Sequence, residues 1–346
     1  MKNIFKYKAF KQLSFLWIGI FALSSCNDWT EIQPIVIQKN DVQNDNPALY
    51  AQYLEDLKLY KASSHNVVFG WYDNSVKEAF NQSHHIQHLP DSLDYVVLKS
   101  PDNLTEKELT EIASSKENRA FKFLYDLDIE GSILSYQQLT VAEQEEISII
   151  DYLTNSINKV KDLSTKYPYD GVVVSYSGRD TLHLNAEDKA IEKSIQQLFN
   201  TTVQNFISAN STKEFVYKGN PQALFDKSIL AQAKYIILPT LSAISKNGLS
   251  FALANAAVEG VPSDRFIVIS NAVSYKPEDI DKKMGLFSDG STAIKSASEW
   301  ILSSHGTGVK VKGLAIENLQ YDYFNILKSY KYSREAINTL NPSIKN

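Results

Sequence analysis

Residues 169–177 read Tyr-Asp-Gly-Val-Val-Val-Ser-Tyr-Ser, and this short stretch carries the most information about the fold. Its section 171–176 is apolar, β-branched or aromatic and has the length of a strand, which predicts a β-strand. Runs of the same kind recur along the chain. The other predicted strands are 67–71, 94–98, 120–125, 214–218, 234–239, 265–270 and 313–318.

Segments with apolar residues at helical spacing separate these strands. The segment 105–116 opens with Thr105-x-x-Glu108, the pattern of a capping box. The other predicted helices are 141–166, 185–209, 248–259 and 292–303. Eight strands alternating with helices predict an α/β fold, a single (β/α)8 TIM barrel. A doubly wound sheet split into two halves is the alternative.

The opening stretch resembles the signature strand of glycoside hydrolase family 18, whose pattern is D-G-x-D-x-D-x-E. Asp170 and Gly171 match its start, whereas Val173, Ser175 and Ser177 stand at its three acidic positions. The signature lies on the family's fourth strand, and 171–176 is the fourth predicted strand here. Further segments are similar to the Bacteroidetes endo-β-N-acetylglucosaminidase-like branch of the family, at 53–61, 65–71, 89–94, 219–222 and 321–342.

The resemblance implies a pseudoenzyme, because two parts of the family's machinery are missing. In the family, the last Glu protonates the glycosidic oxygen and the Asp two residues earlier supports the substrate's acetamido group as nucleophile. Ser177 and Ser175 can do neither, since a hydroxyl is not an acid near neutral pH. Family enzymes also commonly place a tyrosine at the end of the sixth strand, where this chain has Thr240.

A second acidic pattern competes with this interpretation. Asp126, Asp128 and Glu130 repeat the D-x-D-x-E spacing, and all three would project from one face of an extended segment. The segment lacks the preceding Asp-Gly and belongs to the third predicted strand. Three interpretations stay open: a solvated acidic loop at the barrel mouth, a contact to sugar or calcium, and a displaced active site.

Barrels of this type carry their sites at the C-terminal ends of the strands. Aromatic faces stack on sugar rings, while carboxylates, amides and hydroxyls form hydrogen bonds with sugar hydroxyls. The predicted glycan-binding residues are Trp71, Tyr72, Tyr125, Asp126, Ser175, Tyr176, Ser177, Thr240, Asn271, Glu317, Asn318 and Tyr321. Among them, Trp71 is the strongest candidate for a flat platform facing the cleft.

The N-terminal segment has the features of a bacterial lipoprotein signal. Four lysines precede an apolar run at 13–23, and Leu23-Ser24-Ser25-Cys26 matches a lipobox. The sequence predicts a signal peptide at 1–25, lipidation of Cys26, a tether at 26–46 and the barrel at 47–346. It predicts a lipid anchor in the outer membrane and leaves open which face it occupies. A short membrane helix is the alternative, but the run falls short of the roughly 20 residues needed.

Composition limits the partners further. The signal segment removes four of the 35 basic residues and no acids, which leaves 31 against 40 acidic residues. This balance argues against nucleic acid or anionic lipid as the main partner. Motifs for nucleotide, zinc or nucleophilic serine sites are missing from the sequence, which therefore predicts no cofactor and no metal.

Two functions follow from the sequence. The resemblance implies a non-catalytic lipoprotein that binds N-acetylglucosamine-containing glycans, of N-glycan or chitin type, for outer-membrane glycan-uptake proteins. The alternative is an active endo-β-N-acetylglucosaminidase or chitinase-like hydrolase with Asp126, Asp128 or Glu130 as relocated acids. A structural lipoprotein that binds no sugar is a third idea. A monomer is the default state for a tethered barrel.

Overall fold

A computed structural model of the chain describes residues 42–279, 283–306 and 308–342. The predicted signal peptide, Cys26 and most of the predicted tether lie outside the described residues. The chain divides into the units Met1–Ala51 and Gln52–Asn346. The described residues of the first unit form helix α1 (Val42–Asp45) and the beginning of α2 (Pro47–Ala62). The second unit contains the barrel.

Eight parallel strands close into a barrel in chain order. They are β1 (Val67–Tyr72), β2 (Tyr95–Leu98), β3 (Lys122–Asp128), β4 (Gly171–Ser175), β5 (Glu214–Lys218), β6 (Ile236–Leu238), β7 (Phe266–Asn271) and β8 (Val311–Glu317). Pairing of Val67 with Gly313 and of Gly70 with Ile316 joins β1 to β8. The predicted TIM barrel is therefore confirmed, and the doubly wound sheet is wrong because its two edge strands are absent from a closed barrel.

Helices connect the strands. They are α3 (Glu106–Arg119), α4 (Ile129–Gln137), α5 (Val141–Glu146), α6 (Ile149–Val160), α7 (Leu163–Lys166), α8 (Ala186–Ala209), α9 (Lys246–Ala256), α10 (Ala293–Ile301) and α11 (Lys331–Leu340). Short 3-10 turns lie at Gln82–His84, Ile86–His88, Pro221–Ala223, Ser228–Gln232, Pro277–Asp279 and Leu319–Phe324. Within the described residues, no helix is both long and apolar enough to cross a membrane.

Side-chain caps set where the helices begin. The predicted capping box is confirmed, because Thr105 Oγ1 accepts from the Glu108 amide at 3.2 Å and Glu108 Oε2 accepts from the Thr105 amide at 2.7 Å. The predicted single helix 141–166 is instead three helices. Ser148 has extended backbone geometry, and its hydroxyl accepts from the Asp151 amide at 3.1 Å. A new helix therefore begins at that point.

Strand side chains alternate between two buried layers. On β1, Phe69 and Trp71 point into the barrel, while Val68 and Tyr72 point outward into the layer between sheet and helices. On β4, Val173 belongs to the inner layer. Each fully buried large apolar side chain contributes about 1.5–3 kcal/mol to folding, so the two layers together supply most of the driving force.

The start of the signature, Asp170-Gly171, has a structural role. Asp170 Oδ2 accepts from the Phe123 amide at 2.8 Å, and Asp170 Oδ1 accepts from Lys116 Nζ at 2.6 Å. A β-carbon on Gly171 would lie 2.2 Å from the Glu214 carbonyl oxygen, so any other residue would push β4 from β5. Asp170 and Gly171 therefore hold β3, β4 and β5 together, a structural role that does not depend on catalysis.

Candidate functional site at the C-terminal end of the barrel

Four inward-facing polar side chains meet at the C-terminal end of the barrel, with Asp126 of β3 at the centre. Asp126 Oδ2 accepts from Trp71 Nε1 at 3.0 Å and from Lys218 Nζ at 3.0 Å. Asp126 Oδ1 accepts from the Ser175 hydroxyl at 2.5 Å. Lys218 Nζ also lies 5.1 Å from the centre of the Trp71 ring. One carboxylate therefore connects β1, β3, β4 and β5, and we call these four residues the Asp126 hub.

The electrostatics of the hub favour a charged pair. Burial alone would lower the pKa of Lys218, but the carboxylates of Asp126, Glu317 and Asp128 outweigh it and raise that pKa above its usual value. Lys218 is thus a cation at neutral pH, and both oxygens of Asp126 are hydrogen-bonded. The polar groups of the hub therefore satisfy one another through hydrogen bonds.

Two further polar pairs lie at the same end. Lys99, directly after β2, forms an ion pair with Glu317 of β8 at 2.8 Å. Asn318 Nδ2 donates to Asn271 Oδ1 at 3.0 Å. The predicted residues Asn271, Glu317 and Asn318 are thus brought together at the mouth. Sequence reasoning missed Lys99 and Lys218, although each is the inward-facing position at or just beyond the end of an apolar strand.

The other two acids of the D-x-D-x-E pattern leave the strand. Asp128 ends β3 and caps α4, where it accepts from the Gly131 amide at 2.9 Å. Glu130 lies in α4, and its Oε2 accepts from the Ser177 amide at 2.9 Å. The expectation of one extended acidic face is wrong because the helix begins after Asp128. The solvated-loop interpretation is wrong for Asp126, which lies inside the barrel.

The acids nonetheless lie close to one another. Surrounding protein and the nearby charge of Asp126 raise the pKa of Asp128, and Glu130 adds to the effect. Among the described residues, no group of three His, Cys, Asp or Glu side chains has the geometry to hold a metal ion. The arrangement offers hydrogen-bond acceptors for sugar hydroxyls and one carboxyl that is protonated more readily than usual.

Val173, Ser175 and Ser177, which the resemblance places at the signature's acidic positions, face the barrel interior or its mouth. Val173 is fully buried in the inner layer, and Ser175 belongs to the Asp126 hub. Ser177 follows the strand and contacts Glu130 through its backbone amide. None of these three side chains carries a carboxyl group.

Several predicted glycan contacts are wrong because side chains alternate along a strand. Tyr72, Tyr125 and Tyr176 point outward and are buried beneath helices. The Tyr72 hydroxyl donates to the Ser83 carbonyl at 3.2 Å. The hydroxyl of Thr240 is also buried, donating to the Ile269 carbonyl at 2.8 Å and accepting from the Ile269 amide at 2.9 Å. None of these four side chains reaches the cleft.

Trp71 faces the interior as the alternation requires, but it does not form an open platform. Only 1% of the residue is exposed, and Lys218 covers its ring. The expectation of a flat exposed surface at Trp71 is therefore wrong, because the Asp126 hub holds the indole in place and closes over it.

Exposed aromatic rings lie instead on the loops that follow β7 and β8. The Tyr275 ring centre lies 5.4 Å from that of Tyr321 and 4.3 Å from that of Phe324. Tyr275 is 52% exposed and Phe324 is 37% exposed, and Lys276 Nζ lies 5.1 Å from the Tyr321 ring. We call Tyr275, Tyr321 and Phe324 the rim aromatic cluster. Of these, only Tyr321 was predicted, since nothing local to the 19 tyrosines and 16 phenylalanines marks which of them meet at the mouth.

Comparisons with known proteins agree with the fold. The family model described as glycoside hydrolase family 18, BT1044-like, matches residues 30–339. Among solved structures, a selenomethionine form of BT1044 is 18% identical, with a TM-score of 0.59, over 87% of this chain and 95% of that one. The endo-β-N-acetylglucosaminidase of Cordyceps militaris is 15% identical, with a TM-score of 0.57, over 84% of this chain and 96% of that one.

A third similar structure is the GH18 chitinase ChiB from the chitin utilization locus of Flavobacterium johnsoniae. It is 10% identical, with a TM-score of 0.50, over 80% of this chain and 96% of that one. At such low identities the likeness to these structures concerns the fold. None of the curated protein sequences matches this chain at a significant level.

Proposed function

The chain belongs to glycoside hydrolase family 18, in its BT1044-like group, and from this premise we propose that it is a non-catalytic carbohydrate-binding protein. Its ligand class is N-acetylglucosamine-containing glycan, of N-glycan or chitin type. Two similar structures support this class by their names, one an endo-β-N-acetylglucosaminidase and one a chitinase. Exposed rings of the rim aromatic cluster and polar groups at the mouth suit a sugar ligand.

One feature of the sequence carries the non-catalytic role: the resemblance to the family's signature strand places Ser175 and Ser177 at its two catalytic positions. The reaction needs a carboxyl to protonate the glycosidic oxygen and a second to support the acetamido group. The Asp126 carboxylate, which contacts Ser175 at 2.5 Å, is also bound to Lys218 at 3.0 Å. A carboxylate whose two oxygens are both occupied by such partners is not free to contact a glycosidic oxygen.

A hydrolase with relocated acids is the second candidate, and a specific contact favours it. The Glu130 carboxylate sits 2.9 Å from the Ser177 amide, beside the position of the family's catalytic Glu. Burial and the charge of Asp126 raise the pKa of Asp128, as a general acid requires. In this arrangement Glu130 or Asp128 would supply the proton from α4 instead of β4.

The cellular setting is part of the proposal. Removal of residues 1–25 and lipidation of Cys26 would tether the barrel to the outer membrane. There it would hold glycan for neighbouring uptake proteins. The lipobox and the acidic composition support this setting, and a monomer suits a tethered barrel.

Calorimetry combined with product analysis separates the two candidates. The unlipidated chain, from residue 27, is titrated with a high-mannose N-glycan, a complex N-glycan and a chitin oligosaccharide, and the same samples are then analysed by mass spectrometry. Binding without cleavage supports the non-catalytic role. Cleavage contradicts it and directs attention to Glu130 and Asp128.

Amide substitutions then test the relocated acids. In an enzyme, Glu130→Gln or Asp128→Asn should reduce turnover by about 10²–10⁴-fold. In a binder they should change affinity only modestly. Glu187→Gln, on the exposed face of α8, is the matched control and should change neither. Absence of any glycan binding would favour the structural lipoprotein.

A further inference from the structure

A cavity of about 510 Å³ opens at the N-terminal end of the barrel, opposite the glycan site. Its wall carries basic side chains from five different segments. They are Lys61, Lys122, Lys234, Arg265 and Lys312. Ligand pockets for small molecules commonly measure about 300–1,000 Å³. The cavity is therefore large enough for a small anion or for a sugar that carries one.

An aromatic layer separates this cavity from the glycan site. Phe69 and Tyr95 stack with their ring centres 4.2 Å apart. Tyr235 packs edge-on against both, at 5.7 Å from Phe69 and 5.9 Å from Tyr95. The buried layer fills the barrel interior between the two ends, so a ligand in one site does not reach the other.

The acids near the cavity are already paired. Glu214 Oε1 accepts from Lys122 Nζ at 2.6 Å, and Glu214 Oε2 accepts from the Tyr95 hydroxyl at 2.8 Å. Asp264 accepts from Arg265 Nε at 2.8 Å. Asp94 likewise pairs with His65 at 2.8 Å and accepts from the Val68 amide at 2.8 Å. These carboxylates offer little further compensation for other cations.

Lys234 and Lys312 are left over. Within the part of the chain that the structure describes, neither ammonium group has a hydrogen bond or an ion pair. Lys312 acts on Asp264 only at longer range, where its charge adds to the Arg265 hydrogen bond in lowering the pKa of that carboxyl. Lys234 lies just before β6, and Lys312 is the second residue of β8. Two like charges facing one cavity repel each other. The whole chain has a formal net charge of −5, so this local surplus of cations runs against the overall balance.

We propose that this cavity binds a phosphate or sulfate group between Lys234 and Lys312. A doubly charged oxyanion matches two ammonium groups, and each ammonium supplies three donors for charge-assisted hydrogen bonds. The guanidinium of Arg265 is held on the same wall by the Ala231 and Ala233 carbonyls, at 3.3 and 2.8 Å. The group is either the free ion or the substituent of a sulfated sugar.

Calorimetry of the full-length protein in detergent tests the proposal. The probes are inorganic phosphate, inorganic sulfate and N-acetylglucosamine 6-sulfate, with chloride as the background anion at low ionic strength. We expect saturable 1:1 binding of at least one probe. Equal affinity for free sulfate and the sulfated sugar identifies the ion as ligand, and tighter binding of the sulfated sugar identifies the substituent.

Paired substitutions identify the site. Lys234→Ala with Lys312→Ala should weaken binding at least tenfold, which is about 1.4 kcal/mol. Lys189→Ala with Lys193→Ala removes the same charge from the exposed surface of α8 and should leave affinity unchanged. If the alanine pair unfolds, glutamine at the same two positions gives the same test. Absence of saturable binding, or equal losses in both pairs, would overturn the proposal. Glycan binding at the opposite end is measured separately, so the anion site and the glycan-binding function can each be disproved without affecting the other.

Discussion

The two ends of the barrel treat charge in opposite ways. At the C-terminal end, Lys218 is matched by Asp126 and Lys99 by Glu317, while Asp128 and Glu130 accept from backbone amides. At the N-terminal end, Lys234 and Lys312 form no ion pair with any residue that the structure describes. Ion pairs within the protein hold strands in place. Unpaired charges of one sign instead need a ligand or solvent to neutralise them. The Asp126 hub therefore joins β1, β3, β4 and β5 through contacts within the protein.

This contrast also bears on where glycan would bind. The hub covers Trp71 and uses both oxygens of Asp126, which leaves few free groups at the centre of the mouth. The exposed rings lie further out, on the loops after β7 and β8. A sugar would therefore rest on the rim aromatic cluster and reach inward to Asn271 and Asn318. Recognition at the rim suits a binder better than an enzyme, since chemistry needs the bond held at the centre.

The largest expected effect is on stability, and it tests whether the Asp126 hub holds the strands together. Asp126→Ala leaves the Lys218 ammonium mostly buried without its counter-ion and removes the acceptor of Trp71 Nε1. Breaking a buried ion pair by removing one partner costs about 3–5 kcal/mol. We expect a loss of this order in the free energy of unfolding, measured by chemical denaturation.

A double substitution sharpens that result. Asp126→Leu with Lys218→Met replaces the pair by apolar groups of similar size and should restore most of the stability. Ser175→Ala, which removes only one donor to the carboxylate, should cost about 1 kcal/mol. If Asp126→Ala is as stable as the parent chain, the hub does not stabilise the fold. The proposed difference between the two ends of the barrel is then wrong.

The next effect concerns the rim aromatic cluster. Tyr275→Ala removes the most exposed ring of the cluster and should weaken glycan binding about tenfold, or ~1.4 kcal/mol. Tyr275→Phe keeps the ring and should retain most of the affinity. Phe251→Ala removes a ring that is 70% exposed on α9 and is the matched control. Calorimetry with the best glycan ligand measures all three, and equal affinity of Tyr275→Ala and the parent would place the ligand elsewhere.

The sequence allowed the strands and the barrel to be predicted because their signals are local. Every strand core is a run of apolar and β-branched residues, so burial and strand propensity coincide. The same alternation that fixes a strand's two faces also sorts the site residues. Applied to each strand end, it sends Trp71 and Ser175 inward and Tyr72 and Tyr176 outward. Tyr72 ends β1, Tyr176 directly follows β4 and Tyr125 lies within β3, so nearness to the mouth in sequence says nothing about the direction of these side chains.

The partnerships of the site could not be predicted, because they are made across the barrel. Asp126 and Lys218 are 92 residues apart, and Lys99 and Glu317 are 218 residues apart. Composition does not show which acid faces which base when charges are spread along the chain. The helix that begins after Asp128 was also missed, since Asp-x-x-Gly reads equally as a continued loop. Helix caps and ion pairs across the barrel can be identified only once the positions of the strands relative to one another are known.

The smallest predicted effect concerns His65 at the N-terminal end. It tests whether the charge of this residue contributes to stability in a pH-dependent way. The hydrogen bond to Asp94 raises the pKa of His65 above its usual value, against the opposing effect of burial. His65 Nε2 lies 2.8 Å from Asp94 Oδ1, and His65 Nδ1 lies 2.8 Å from the Ser63 carbonyl oxygen. Both ring nitrogens therefore face acceptors, and only the protonated ring can donate to both. Because the folded pKa lies above the unfolded one, this contribution is fully present below about pH 6.5 and is lost as pH rises through the folded pKa. We expect His65→Gln to lower the melting temperature by about 2 °C near pH 6, as befits ~1 kcal/mol, and by less near pH 9. His183→Gln, in an exposed loop, should show no such difference, and a pH-independent loss for His65→Gln would mean that the ring acts by packing alone.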